Sequence, residues 1–259
     1  MKILFIGDIV GSPGREAIKR LVVLLKQELG IDFVIANAEN ASGGSGITAK
    51  VAAELFASGA DVLTSGDHIW KKPEIFELIN QEERILRPLN FPSGAPGRGA
   101  SVFKAKNGIK VGVINLNGRV FMEALECPFK TALKAAEELA RETKIIIVDI
   151  HAEATSEKIA LGWYLDGKVS AIFGTHTHVQ TADEKILPQG TAYITDVGMT
   201  GPYDSVIGRR VEDVLTRFLS SIPVRFQVAE GNIQLHGALV EIDEATGKAR
   251  SILRIQKKL

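Results

Sequence analysis

The sequence contains a single cysteine, Cys127, among its 259 residues. One cysteine excludes an internal disulfide, a zinc site built from cysteines and an iron–sulfur cluster. Any metal ion that the chain binds must therefore be held by oxygen atoms and imidazole nitrogens.

Long apolar segments are lacking as well. No run approaches the ~18 consecutive apolar residues of a membrane-spanning helix. The first apolar run ends at Asp8, which makes it too short for a secretory signal peptide and typical of a first strand. We therefore expect a reduced, cytoplasmic setting and no membrane partner.

The chain also lacks net charge, because its 31 Lys and Arg balance 31 Asp and Glu. A neutral protein has no overall field that holds polyanions, which disfavours a stable complex with nucleic acid and favours small ligands. The 45% of hydrophobic residues is typical of a globular protein with a sizeable core. The length suits one domain over residues 1–259.

Short apolar runs alternate with amphipathic stretches, a pattern that favours an α/β fold with strands buried on both faces. The runs predict strands at residues 2–6, 32–37, 61–65, 110–115, 144–150, 169–174 and 192–195. Helical spacing predicts helices at 17–29, 48–59, 131–143, 153–165 and 209–220. Asn107-Gly108 predicts a hairpin turn. Alternation in the tail predicts antiparallel strands at 225–230, 234–242 and 249–256.

Nearly every predicted strand of the first two-thirds runs directly into carboxylates, an amide or imidazoles. In open α/β sheets the carboxyl ends of the strands form the edge where ligands bind. A single Asp or His at such a place is usually a helix cap or a hydrogen-bonded loop residue, but this group holds four of the five histidines of the chain. We therefore predict one site made of Asp8, Glu39, Asn40, Asp67, His68, His151, His176 and His178.

The composition of this set favours a centre of two divalent metal ions. Its carboxylates, amide and imidazoles exceed what one tetrahedral zinc ion needs and suit two ions that share a bridging ligand. In an extended segment, His176 and His178 would point the same way and reach neighbouring ions. Asp67 and His68 are adjacent and point differently, so His68 faces the substrate if Asp67 holds metal.

Other motifs are less favoured. The segment 7–14 follows a strand and opens a helix, but it lacks the G-x-G-x-x-G spacing and places Asp8 where a pyrophosphate would lie. The glycine-rich segment 41–46 is neither a P-loop nor a nucleophile elbow. His236 is interpreted as a structural strand residue, and Arg119 is a candidate for holding phosphate or shaping the pocket.

At these residues the chain resembles the calcineurin-like metallophosphoesterases, in which Gly-Asp, Gly-Asn-His, a lone His and Gly-His-x-His blocks lie at the strand ends of a two-sheet sandwich. It is more closely similar to the bacterial YmdB-like subfamily of 2′,3′-cyclic-nucleotide 2′-phosphodiesterases, over essentially its whole length. The blocks that carry the similarity are Gly7-Asp8-Ile9-Val10-Gly11, Ala36-Asn37-Ala38-Glu39-Asn40, Gly66-Asp67-His68-Ile69-Trp70, Asn117-Gly118-Arg119, Asp149-Ile150-His151-Ala152-Glu153, Gly174-Thr175-His176-Thr177-His178 and Thr195-Asp196-Val197-Gly198-Met199.

The resemblance implies a four-layer α/β/β/α fold, a two-layer β-sandwich flanked by helices, and an enzyme that converts 2′,3′-cyclic nucleotides into 3′-nucleotides. It implies that a metal-bridging hydroxide attacks and that His68 is the general acid. The family's metals are divalent iron or manganese, and the family suggests a homo-oligomer, either a dimer or a tetramer. By the same resemblance, one ion is held by Asp8, Glu39, Asn40 and His178, and the other by Glu39, Asp67, His151 and His176.

Two residues depart from the blocks of the wider superfamily. Val10 stands where that superfamily usually has an imidazole, as it does in the subfamily. Asp67 stands where the family has Asn, and its added negative charge weakens the attraction of the ions for a phosphodiester and raises the pKa of water at the ions. We therefore expect activity that is lower, or shifted to higher pH, than with Asn. A phosphomonoesterase or nuclease, and a regulatory protein with little turnover, remain alternatives.

Overall fold

The computed structural model describes all 259 residues. Its six helices are α1 (Gly11–Leu29), α2 (Ala49–Ala57), α3 (Ile75–Gln81), α4 (Pro128–Leu139), α5 (Thr155–Tyr164) and α6 (Val211–Ser220). Local chemistry explains several helix ends. The Thr48 hydroxyl accepts a hydrogen bond from the Val51 amide and caps α2, while Gly30 ends α1 at a φ of 66° that favours glycine. None of these helices is long and apolar enough to cross a membrane.

The first sheet has seven strands, which are β1 (Lys2–Ile6), β2 (Asp8–Ile9), β3 (Phe33–Asn37), β4 (Val62–Thr64), β11 (Met199–Pro202), β12 (Ile233–Ile242) and β13 (Ala249–Lys258). Strands β1, β3 and β4 run parallel. The long strand β12 pairs antiparallel with β1 and with β13, and β11 joins β12 to the short strand β2.

The second sheet has six strands, which are β5 (Ala100–Lys104), β6 (Lys110–Asn117), β7 (Ile146–His151), β8 (Ala171–Thr175), β9 (Lys185–Ile186) and β10 (Ala192–Ile194). Their order across the sheet is β5-β6-β7-β8-β10-β9. The four central strands β6, β7, β8 and β10 are parallel, and the edge strands β5 and β9 pair antiparallel with β6 and β10.

Three apolar cores separate four layers. The middle core lies between the sheets, where the rings of Phe5 and Phe173 stack with centroids 4.7 Å apart. One outer core packs α1 and α2 on the first sheet through residues such as Ile18 and Val51, and the other packs α4 and α5 on the second sheet through Ala132 and Leu161. This arrangement is the predicted α/β/β/α sandwich, and it buries both faces of the parallel strands.

The predicted strands are present with shifts of one or two residues at their ends, except in the tail. Residues 225–230 form no strand and make only an isolated bridge between Val228 and Arg209. The prediction there is wrong because alternation alone cannot supply a partner strand, and β12 is already paired with β1, β11 and β13. Helix α3 and the strands β2, β9 and β11 were not predicted, because they are too short to show a clear periodicity.

Candidate metal centre

The carboxyl ends of the parallel strands from both sheets meet at one edge of the sandwich. Asp8 follows β1, Glu39 and Asn40 follow β3, and Asp67 and His68 follow β4. From the second sheet, His151 ends β7 while His176 and His178 follow β8. All eight residues predicted to form the site are therefore brought together.

Four of these side chains form a compact group that could hold a metal ion. One ligand atom each from Glu39, Asp67, His151 and His176 lies within 4.8 Å of the others. Nε2 of His151 is 3.3 Å from Oε2 of Glu39 and 3.2 Å from Oδ1 of Asp67. Two carboxylates and two imidazoles are a ligand set that suits divalent transition metals.

A second group lies beside the first. Oδ1 of Asp8 is 3.7 Å from Nε2 of His178 and 3.8 Å from Nδ1 of His151. The same Asp8 oxygen is buried without a hydrogen-bond partner. A buried carboxylate oxygen without a donor is costly, and a cation bound here removes that cost, so the residues fit the metal that the family implies.

Asn40 occupies the space between the two groups. Its Nδ2 donates to Oε1 of Glu39 at 2.9 Å and lies 3.3 Å from Nε2 of His178, while its Oδ1 is 2.8 Å from Nδ1 of His68. Ligation by Asn40 therefore requires its amide to turn, so that the oxygen faces His178. In the present arrangement, Asn40 instead holds the His68 ring.

The imidazoles of His151, His176 and His178 are oriented in the same way: one ring nitrogen faces the cluster, and the other contacts a group outside it. For His151 the outer partner is the Thr175 hydroxyl at 2.9 Å. For His176 it is the Glu153 carboxylate at 3.1 Å, and for His178 it is the Ile207 carbonyl at 3.0 Å. Such outer contacts fix the tautomer and the direction of a metal-ligating ring.

Asp149 anchors this outer layer beneath His151. Its Oδ1 accepts from the Thr175 hydroxyl at 2.8 Å, and its Oδ2 accepts from Thr64 at 2.5 Å and from Nδ2 of Asn37 at 3.1 Å. Burial raises the pKa of Asp149 to about 7, against the charge of His151 and these hydrogen bonds. The network couples the sheets, because Asn37 ends β3 and Asp149 lies in β7.

Charges within the cluster are paired. Burial alone would raise the pKa of Glu39, but the charge of His151 and hydrogen bonds from His151 and His68 hold it well below its usual range. Burial alone would lower the pKa of His151, but the charge of Glu39 and the hydrogen bond with Asp67 hold it well above its usual range. The Glu39 carboxylate is therefore ionised at neutral pH. Protons on the imidazoles compete with a divalent cation for the same lone pairs.

The loop that carries His176 and His178 is not extended, which corrects the predicted geometry. His176 has a φ of 94° and His178 a φ of 65°, both in the region that favours glycine. The loop is held there because Asp8 accepts from the His176 amide, and Oδ2 of Asp196 accepts from the Thr177 amide at 3.1 Å and hydroxyl at 2.7 Å. The two imidazoles consequently diverge, His176 toward the first group and His178 toward Asp8.

Gly66 allows the closest approach of backbone to this centre. A Cβ atom there would overlap the His151 ring and Oε2 of Glu39. Only glycine therefore lets the turn before Asp67 pass beside the cluster without displacing its ligands.

A cavity of about 720 Å³ opens above the cluster. His68 lines it, with its side chain 30% exposed, as do Glu39, Asn40, His176 and His178. The other residues of the lining were not predicted as part of the site; they are Glu153, Thr177, Val206, Ile207, Arg209, Val214, Arg217, Phe218, Ser221 and Phe226. Arg119 does not line this cavity, and His236 lies buried in β12 as predicted.

Comparison with known proteins places the chain among relatives of the same length. It matches the family described as YmdB-like protein over residues 4–255. It is 54% identical over 255 residues to the Bacillus subtilis (strain 168) protein named 2′,3′-cyclic-nucleotide 2′-phosphodiesterase, covering 98% of this chain and 96% of the relative.

Two crystal structures share the fold. One is a hypothetical protein from Thermus thermophilus, with a TM-score of 0.92 and 39% identity, covering 100% of this chain and 99% of that one. The other is described as a novel phosphatase from Mycoplasma pneumoniae, with a TM-score of 0.92 and 37% identity, covering 100% of this chain and 93% of that one.

Proposed function

Because the chain belongs to the YmdB-like protein family, we propose that it is a metal-dependent phosphodiesterase that hydrolyses 2′,3′-cyclic nucleotides to 3′-nucleotides. The observation that carries this proposal is the group of Glu39, Asp67, His151 and His176, whose ligand atoms lie within 4.8 Å of one another beside the cavity. The 54% identity to a named enzyme of this activity supports the same substrate class.

We propose that the centre takes two divalent ions, iron or manganese, with Glu39 shared between them. One set is Glu39, Asp67, His151 and His176, and the other is Asp8, Glu39, Asn40 and His178. When bound, such ions act as Lewis acids that neutralise phosphoryl oxygens and make water a stronger nucleophile near neutral pH. The unpartnered Oδ1 of Asp8 supports the second set.

His68 is the proposed general acid, which protonates the departing 2′-oxygen. Its ring lines the cavity, and its Nδ1 lies 2.8 Å from Oδ1 of Asn40 and 3.3 Å from Oε1 of Glu39. When the Asn40 amide turns to ligate an ion, Glu39 remains beside this nitrogen. The hydrogen bond with Glu39, followed by the charges of Glu39 and Asp67, raises the pKa of His68 against the opposing effect of burial. A raised pKa favours the protonated ring, which is the form that donates a proton.

A phosphomonoesterase is the second candidate, because one of the two structural neighbours is described as a phosphatase. The experiment that separates the candidates is a substrate panel with metal-loaded protein: 2′,3′-cyclic nucleotides, 3′-nucleotides, bis-p-nitrophenyl phosphate and RNA. We expect 2′,3′-cyclic nucleotides to be hydrolysed fastest, with 3′-nucleotides accumulating. Release of inorganic phosphate from 3′-nucleotides at a higher rate would contradict the proposal and favour the phosphomonoesterase.

The proposal extends to metal number, assembly and location. Elemental analysis of anaerobically purified protein is expected to find two ions per chain. A homo-oligomer, dimer or tetramer, and a cytoplasmic location belong to the same proposal, and light scattering of the purified protein measures the assembly.

A further inference from the structure

The lining of the cavity has two chemically different parts. The cluster contributes carboxylates and imidazoles, whereas residues 206–226 contribute a set of side chains that we call the apolar wall: Val206, Ile207, Val214, Phe218 and Phe226. Helix α6 and the residue that caps its C-terminus line the cavity with side chains spaced three and four apart, namely Val214, Arg217, Phe218 and Ser221. An aromatic wall and a polar cluster in one cavity indicate a ligand that is anionic at one end and flat and apolar at the other.

The polar side chains next to the apolar wall in the chain are the guanidinium groups of Arg209 and Arg217, which only donate hydrogen bonds, and the hydroxyl of Ser221. The Arg209 guanidinium donates to the Gly44 carbonyl, and Nη1 of Arg217 donates to the Ser221 carbonyl at 2.7 Å. The carboxylates and the amide of the lining belong to Glu39, Asn40 and Glu153, which lie in the cluster or contact it. The wall therefore has no carboxamide, the group with which Asn or Gln pairs with a donor and an acceptor of a base edge at the same time.

We propose that the apolar wall binds the nucleobase of the substrate, by stacking on Phe218 and Phe226, and accepts purines and pyrimidines alike. This inference rests on the proposed function and deepens it by naming how the substrate is held. The cavity volume of about 720 Å³ lies in the range of about 300–1,000 Å³ in which proteins bury small ligands. Stacking on an aromatic ring tolerates every base, since every base has a π-face.

The wall is distinct from a second apolar row along α6 and the residues just after it. Phe218 is 78% exposed and Phe226 is 39% exposed, so both rings are open to a ligand. Val211, Leu215, Leu219 and Ile222 are exposed too but do not line the cavity. The outer row offers a matched control, because Leu219 lies next to Phe218 in the chain but does not line the cavity.

The test measures binding as well as turnover. Isothermal titration calorimetry compares four nucleoside 3′-monophosphates with ribose 3-phosphate, using metal-loaded wild type, Phe218→Ala, Phe226→Ala, Phe218→Tyr and Leu219→Ala. We expect the wild type to bind each nucleotide about tenfold to hundredfold more tightly than ribose 3-phosphate, with the four bases within about tenfold of one another. Each alanine variant at a wall phenylalanine should lose most of this preference, whereas Phe218→Tyr and Leu219→Ala should keep it.

A second assay separates this inference from the proposed function. It compares the hydrolysis of a 2′,3′-cyclic nucleotide with that of a cyclic phosphodiester that has no base. We expect Phe218→Ala to lower kcat/KM on the cyclic nucleotide alone. Equal affinity of the wild type for nucleotides and ribose 3-phosphate would overturn the base site, and so would a changed oligomeric state of Phe218→Ala with unchanged nucleotide affinity. Failure of metal-loaded wild type to hydrolyse either cyclic substrate would overturn the proposed function instead.

Discussion

Replacement of Lys158 by Met tests whether a buried ion pair holds the loop of His176 and His178 in place. Nζ of Lys158 is 2.8 Å from Oδ2 of Asp196 and donates to the Thr175 carbonyl at 2.6 Å, and both side chains are completely buried. The same Asp196 oxygen accepts the Thr177 amide and hydroxyl, between the two histidines of the loop. Lys158 therefore stabilises the turn at residues 176–178 through Asp196 and the Thr175 carbonyl, without a hydrogen bond to a proposed metal ligand.

Removing one partner leaves the Asp196 carboxylate buried without a counter-charge, which costs about 3–5 kcal/mol. For a chain of this size, about 2–4 °C per kcal/mol gives a fall in Tm of roughly 6–20 °C. Calorimetry of the metal-free protein measures this fall. Elemental analysis measures a second effect: without its counter-charge Asp196 should hold the loop of His176 and His178 less firmly, so fewer ions per chain should bind.

The control is the double variant Lys158→Met with Asp196→Asn, which removes the stranded charge and keeps an acceptor for Thr177. We expect its Tm to lie above that of the single variant. The reasoning is refuted if Lys158→Met melts within about 2 °C of the wild type, or if the double variant is less stable than the single one.

Three further predictions concern single positions. Gly66→Ala should lose metal because its Cβ would overlap His151 and Glu39, whereas Gly94→Ala, which meets nothing within 4 Å, should keep the wild-type metal content on elemental analysis. Asp67→Asn should raise kcat/KM on an anionic diester and shift the pH–rate profile to lower pH. Burial alone would raise the pKa of Asp67, but the hydrogen bond from His151 together with the charges of His151 and His68 lowers it, so this substitution removes a real negative charge; an unchanged profile would contradict this. Burial lowers the pKa of His236 from 6.5 to about 4. As pH falls from about 6.5 to about 4, this histidine is therefore protonated in the unfolded chain but stays neutral in the folded chain, which destabilises the fold. The wild type should lose up to about 3 kcal/mol more stability over that window than His236→Gln in denaturant titrations, and parallel curves would contradict this.

The strand ends and the polar side chains that follow them were predictable because each signal lies within a few residues of chain. An apolar run followed by Asp8, by Glu39 or by His151 is a local pattern, and parallel topology then brings such ends to one edge. The four-layer fold followed from the same alternation together with the family resemblance.

The supports of the site were not predictable in this way, because they join distant parts of the chain. The pair of Lys158 and Asp196 spans 38 residues, and Glu153 meets His176 only when β7 and β8 pair. The turn at His176 and His178 was predicted as extended. Its positive φ angles could not be predicted from nearby residues, because the hydrogen bonds that hold them are accepted by Asp8 and Asp196. Residues 225–230 alternate like a strand but find no partner.

Chromatographic analysis of products from 2′,3′-cyclic AMP, with wild type and Glu39→Ala compared at known metal content, tests the central claim most directly. Glu39 lies in both proposed ligand sets, and its Oε2 is 3.3 Å from Nε2 of His151. The account predicts that metal-loaded wild type forms 3′-AMP, and that chelator treatment or Glu39→Ala abolishes both metal binding and turnover. Undiminished formation of 3′-AMP by metal-free protein or by Glu39→Ala would contradict it.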